Sequence, residues 1–224
     1  MEYIVILLLI LVLAIVGPII GAISPAASIP PPPSLPSPSL PAHKRCEAQV
    51  SSALRNMDMK SYVVFDNLVL RSGGNTSHTE IDHVVVSPYG IFCIETKSHN
   101  GSIYGYRDND YWKQYLGKKS YVIYNPFKQN YKHVRALESL LGPNLRAPIH
   151  SYVVFPNARN IKINGTSRAA GIRDVVWNIS CHKTPVYSLE ECEKILKCLA
   201  YASSKKDELL PIHANEVREY LSSI

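Results

Sequence analysis

Beyond residue 43 the sequence predicts a mixed α/β domain, on three observations. Amphipathic stretches alternate with short β-branched apolar runs, a Ser-Pro-Tyr-Gly turn joins two of those runs, and Asn125-Pro126 and Ser188–Glu191 carry helix-start signatures. About 180 residues remain after the first forty, a normal size for one domain with a single core.

The elements follow in order. Cys46, Val50, Ala53, Leu54 and Met57 fall on one stripe, which predicts a helix over about 44–57. Tyr62 to Leu70 is an apolar, β-branched strand ending in the turn-rich Ser72-Gly73-Gly74-Asn75. Ile81–Val86 and Ile91–Thr96 are two strands around Ser87-Pro88-Tyr89-Gly90, a hairpin turn. Short strands are expected near 101–106, 112–115 and 120–124. A helix then opens at Asn125-Pro126, runs past Leu140 and stops at Gly142-Pro143. His150–Phe155 and Asp174–Ile179 read as buried strands. Ser188 with Glu191 makes a capping box, and a last helix covers roughly 215–221.

The N-terminus is of another kind. Tyr3 to Ile23 carries no charge, and as a helix it would span a hydrocarbon core of roughly 30 Å. No Lys or Arg precedes it, which argues against a cleaved signal peptide, so residues 1–23 are expected to be a transmembrane anchor. Lys44 and Arg45 are the first basic residues after it. The positive-inside rule then puts the C-terminal domain in the cytoplasm of a single-pass membrane protein. Residues 24–43 form a Pro-rich linker holding eight of the sixteen prolines, an extended spacer on the order of 50 Å long.

All 24 basic residues lie beyond residue 43, against 17 acids once Glu2 is set aside, so the domain carries +7. That balance favours a polyanionic partner, nucleic acid or an anionic membrane surface. Five cysteines without a CxxC pair predict reduced thiols and no disulfide framework. A zinc site built from Cys93 with His78, His83 and His99 is a minor alternative, since their spacing matches no zinc-ligand pattern.

The hairpin carries the chemistry. If its four-residue turn is symmetric, Val86 pairs with Ile91 and Asp82 falls opposite Glu95. Alternation puts Lys97 on the face of Glu95 and turns Thr96 away. Opposed carboxylates destabilise a sheet unless something compensates them. A hard divalent cation such as Mg²⁺ or Mn²⁺ would do so, and a neighbouring lysine could orient or deprotonate water. An ordinary hairpin with a Glu–Lys pair is the alternative.

The run Glu80-Ile81-Asp82-His83-Val84-Val85-Val86, followed by Gly90-Ile91-Phe92-Cys93-Ile94-Glu95-Thr96-Lys97, resembles the core of the NERD (nuclease-related domain) family. Gly101, Trp112, Asn125-Pro126 and Gln129 continue the family's pattern in order, and the clear resemblance covers about 44–141 of a domain drawn at 44–224. It implies a restriction-endonuclease-like mixed β-sheet flanked by helices, of the PD-(D/E)xK superfamily. By that resemblance Asp82 and Glu95 are metal ligands, Lys97 is the catalytic lysine, and Glu47 and Gln129 assist. The family's usual Gly-Glu pair is Cys46-Glu47 here.

Tyrosines and basic residues interleave between Arg107 and Arg135, a composition suited to phosphates and unstacked bases. Lys128, Lys132 and Arg135 are the candidate nucleic-acid-binding residues, while Trp112 reads as core. The expected function is a membrane-anchored, Mg²⁺-dependent nuclease acting on DNA or RNA. The alternatives are a non-catalytic nucleic-acid-binding or signalling module that keeps the same core, or a membrane-associated scaffold.

Overall fold

The structure is a computed structural model that describes residues 40–72 and 77–222. The expected anchor and nearly all of the Pro-rich linker lie outside these residues. Among the described residues no helix is long and apolar enough to cross a membrane.

The described chain is a mixed α/β structure with two mixed sheets flanked by helices. Helix α1 (Ala42–Arg55) leads into β1 (Val63–Arg71), β2 (His78–Ser87) and β3 (Gly90–Thr96). A second group follows, β4 (Gly101–Tyr106), β5 (Tyr111–Leu116) and β6 (Lys119–Tyr124), and then α2 (Pro126–Leu141). The remainder is β7 (His150–Val154), β8 (Ala158–Asn164), β9 (Ala169–Ala170), α3 (Ile172–Ser180), α4 (Leu189–Ser204) and α5 (Lys206–Ser222). The first sheet has the order β1-β2-β3-β7-β9 and the second β6-β5-β4-β8. In the first, β1, β2 and β3 are antiparallel neighbours while β3, β7 and β9 run parallel.

Helices cover both faces of the first sheet. Leu137 and Leu141 of α2 and Ile195 and Leu199 of α4 pack on Val84, Ile91 and Cys93. On the other face, Val50 and Leu54 of α1 and Val175 and Ile179 of α3 pack on Val85, Phe92 and Ile94. Each such fully buried aliphatic side chain contributes roughly 1.5–3 kcal/mol. This two-sided burial explains why β3 is buried along its whole length. Phe127, Val153 and Phe155 join the second sheet to the first through Ile103, Trp112 and Ile163.

Two expectations are corrected. Asp174–Ile179 belongs to helix α3 rather than a strand. Its β-branched content suggests a strand, but Ile172, Val175, Val176 and Ile179 recur at helical spacing and face one core cluster. The last helix begins near Lys206, well before residue 215, with Pro211 inside it. The short strands β8 and β9, which the sequence reading lacked, are held by parallel pairing to β4 and β7. All five cysteines are free.

Candidate active site

The β2–β3 hairpin has the expected register, with rungs from His83–Ile94 through Val86–Ile91 to Ser87–Gly90. The paired rungs end at His83–Ile94, and Asp82 and Glu95 are the next residues outward on the two strands. There the Thr96 N–H donates to the Asp82 carboxylate at 2.7 Å. Asp82 also lies at a twist in the sheet. Asn67, at its level on β1, adopts a left-handed φ of 53°. Across that level the inward face passes from Val63 and Phe65 to Leu68 and Leu70 on β1, and from Val84 to Ile81 on β2. Interrupted alternation re-aims side chains, and here the re-aimed residue is a carboxylate.

Glu95 is 2% exposed. Its Oε1 accepts from Lys97 Nζ at 2.7 Å, and its Oε2 contacts His133 Nε2 at 3.0 Å. Lys97 Nζ also donates to Gln129 Oε1 at 2.7 Å, and His133 Nδ1 is 2.9 Å from the Thr79 hydroxyl. Helix α2 thus fixes both ends of the Glu95–Lys97 pair, with Gln129 and His133 four residues apart on one helix face. Thr96 points to the opposite face, where its hydroxyl lies 3.1 Å from His83, itself 2.7 Å from Asp66.

Asp82 and Glu95 are held differently. Burial, then the charge of Glu95 and more weakly that of Glu47, push the Asp82 carboxyl up to about 8. Burial opposes ionisation of Glu95 too, but the His133 hydrogen bond and the Lys97 charge outweigh it and hold its pKa below the ordinary value. Two nearby carboxylates thus divide one charge, Glu95 ionised and Asp82 protonated near neutrality. Glu47 projects from α1, bridged to Lys44 at 2.8 Å, and Lys44 lies 3.7 Å from Glu80 on β2. Cys46, in the place of the family's glycine, is buried with its sulfur 3.1 Å from Asn157 Nδ2.

Asp82, Gln129, Lys132 and His133 line a cleft of about 330 Å³ with Thr79 and Glu80. Asp82, Glu95, Lys97, Gln129 and Lys132 therefore come together, with Glu47 at the edge of the group. Lys128 and Arg135 do not line it: Lys128 bridges to Asp110 at 3.2 Å, and Arg135 pairs with Glu138 along its own helix. The residues of the zinc alternative diverge. Cys93 donates to Asn130, His78 faces Glu216 and His99 packs edge-on to Phe155. Among the described residues no cluster of three or more His, Cys, Asp or Glu could hold a metal ion.

Four contributors escape sequence reasoning. His133 looks like any helix histidine, yet its place four residues after Gln129 is a usable signal. Lys44 is notable in the sequence only as the first basic residue. His213 and Val217 line the cleft from α5, more than eighty residues beyond Gln129. That helix is fastened to β2 where Glu216 accepts from the Ser77 hydroxyl and the His78 N–H. Nothing in the local sequence connects it to the hairpin.

The ordered residues of the resemblance also have structural reasons. Gly101 has φ +74°, and a Cβ there would lie 2.2 Å from the Tyr115 carbonyl oxygen. Asn125 is wholly buried; its Oδ1 caps α2 at the Phe127 N–H, and its Nδ2 donates to the Arg107 and Asn109 carbonyls.

Comparison with known proteins bears on the same region. A model of the nuclease-related domain matches residues 42–156, just over half of the chain. An uncharacterized protein of Bacillus anthracis is 41% identical over 103 residues, which are 46% of this chain and 48% of that protein. The chain thus spans about half the length of this curated relative. A solved structure of a protein of unknown function, AF1548, aligns over 73% of this chain and 99% of its own at 13% identity, with a TM-score of 0.31. The matched region holds both strands of the hairpin, the helix glutamate and the helix that positions Lys97, and with it the chain belongs to the NERD, or nuclease-related domain, family.

Proposed function

We propose that this protein is a metal-dependent nuclease that hydrolyses phosphodiester bonds in DNA or RNA on a restriction-endonuclease-like PD-(D/E)xK core. The observation that carries the reading is the Glu95–Lys97–Gln129 chain of contacts beside Asp82, in a cleft open to a substrate. The donor set suits Mg²⁺ or Mn²⁺, because Asp82 and Glu95 offer hard oxygens and two carboxylates are too few to displace all of the ion's waters. The raised pKa of Asp82 supports the same fit, since a cation would favour its ionised form.

Asp82 and Glu95 would hold the ion, with Glu47 assisting from α1. Bound there, it would supply Lewis acidity, stabilising charge on the phosphate and acidifying water. His133 fixes one Glu95 oxygen and keeps the carboxylate ionised. Lys97, held as an ammonium by Glu95 and steered by Gln129, would orient the attacking water and stabilise the negative charge that develops on it. Lys132 and His213 face the same cleft, placed to meet the phosphate and its leaving group. We read residues 1–23 as a membrane anchor and 24–43 as its spacer, with the domain on the cytoplasmic side; protease protection of membrane vesicles would test that orientation.

The direct test is cleavage of single- and double-stranded DNA and RNA by the full-length chain with Mg²⁺, Mn²⁺ or EDTA. Metal-dependent cleavage lost in Asp82→Ala and Lys97→Ala is the expected result. Cleavage that persists in both variants would remove the assignment. Salt-sensitive binding without cleavage would favour the non-catalytic module instead.

A further inference from the structure

The second sheet has a face that its own fold leaves uncovered. Its inner face, with Ile103, Trp112 and Ile163, is sealed against Phe127, Val153 and Phe155. Strand alternation turns every second residue outward, and those residues are mainly tyrosine and lysine. In one cross-strand row Lys162, Tyr104, Lys113 and Val122 are neighbours, and in the next Asn160, Ser102, Tyr115 and Ser120. Tyr111 stands opposite Tyr124 beyond them. Tyr104, Tyr106, Tyr111, Tyr115 and Tyr124 are 38–62% exposed.

We infer that this tyrosine–lysine face is a docking surface for single-stranded nucleic acid, its bases stacking on the exposed rings. The inference deepens the nucleic-acid reading above and shares its substrate class, but it concerns a surface distinct from the Asp82 cleft. Tyr104 and Tyr115 meet edge to face at 5.6 Å and, with Ser102, line an open hollow of about 360 Å³. The Asn160 side chain donates to the Tyr104 hydroxyl at 2.9 Å, which steadies that ring. Tyr111 and Tyr124 form a second edge-to-face pair at 5.9 Å.

Charge selects the occupant. Strands β4, β5, β6 and β8 contain no acid, and Lys113 and Lys162 stand on the tyrosine face itself. The acids nearest in sequence, Asp108 and Asp110, sit in the β4–β5 turn and are bridged to Arg107 and Lys128. An acid-free basic surface attracts a polyanion and repels a second copy of itself. Exposed rings add a requirement for free base faces, which a duplex hides and a single strand offers. Hydroxyl-tipped tyrosines, rather than Phe or Leu, also suit a surface that stays wet until it is occupied.

The test uses the full-length chain in EDTA, with a fluorescein-labelled twelve-nucleotide oligothymidylate followed by anisotropy. Tyr104→Ala with Tyr115→Ala should weaken binding at least tenfold, since each lost stacking contact typically costs a factor of about 5 to 150. Lys113→Ala with Lys162→Ala should flatten the slope of log affinity against log salt by about 1.4. An abasic strand of the same length should bind the unsubstituted protein no better than the tyrosine variant binds oligothymidylate. All four side chains lie on the surface, so unchanged melting temperatures verify the variants' folds.

Equal binding of abasic and thymidylate strands, or unchanged binding in the tyrosine variant, would overturn the proposal. So would a dimer dissolved by these substitutions, or a preference for phosphatidylglycerol vesicles that they abolish. Metal-dependent hydrolysis of bis(p-nitrophenyl) phosphate, which has no bases, separates this inference from the nuclease reading. If that hydrolysis is absent while base-dependent binding holds, the nuclease reading fails and this one stands. If hydrolysis is present and the tyrosine variant binds normally, the reverse follows.

Discussion

Replacing Asp82 with Asn tests the electrostatics of the hairpin without disturbing its shape. The Asn oxygen can still accept from the Thr96 N–H, which now donates to Asp82 at 2.7 Å, so the change is chiefly one of charge. In the folded chain the Asp82 carboxyl is pushed from 3.8 up to about 8, mainly by burial and then by Glu95. A raised carboxyl pKa means that the folded state binds the extra proton. Its stability is therefore fully present below about pH 4, erodes as pH rises, and reaches its floor above about pH 8. At 1.36 kcal/mol per pKa unit the cost has a ceiling of about 4 kcal/mol at pH 7. Sharing of charge with Glu95 and the open side of the cleft reduce this to about 2 kcal/mol. A domain of this size shifts by about 2–4 °C per kcal/mol. In EDTA, Asp82→Asn should therefore melt roughly 4–8 °C above the unsubstituted protein at pH 8 and level with it at pH 4. Calorimetry from pH 4 to 9 reads this directly. A difference independent of pH, or a less stable variant at pH 8, would refute the reasoning. Added Mg²⁺ should stabilise the unsubstituted chain and leave the variant unmoved.

Four further outcomes are expected. Glu95 has its pKa held down against burial by His133 and Lys97, so its stabilising contribution is present above about pH 4.5 and lost as pH falls. His133→Ala should raise the Glu95 pKa and move the acid limb of the pH–rate profile toward neutrality, by about one unit. Asn125→Ala removes a helix cap and leaves two carbonyls without their donor; a loss of roughly 3 kcal/mol should appear in urea unfolding. Gly105→Ala would bring a Cβ within 2.3 Å of the Trp112 ring, so overpacking should cost about 1–3 kcal/mol in the same assay. His213→Ala, at a position facing the cleft from α5, should lower kcat on a nucleic-acid substrate with little change in melting temperature.

The hairpin was legible in the sequence because strand geometry is local arithmetic. A symmetric turn at Ser87–Gly90 and a period of two bring Asp82 to Glu95 with no knowledge of the rest of the chain. The same locality made the Asn125 cap and the Ser188–Glu191 capping box readable, since both bonds close within three residues. It misled at Asp174–Ile179, where β-branched composition suggested a strand and packing against α1 favoured a helix. It also could not separate Lys132, which faces the cleft, from Lys128 and Arg135, which are occupied by Asp110 and Glu138.

By itself, then, the sequence determined the type of site: two carboxylates and a lysine on one hairpin, in an apolar setting that makes their charges costly. The tertiary structure alone decided how those charges are divided. His133 and Gln129 reach Glu95 and Lys97 from α2, more than thirty residues away, and α5 brings His213 to the cleft from the far end of the chain. Only folding sets the burial that pushes Asp82 up while hydrogen bonds hold Glu95 down. Burial and long-range contact depend on what packs above a residue, and no local spacing encodes that.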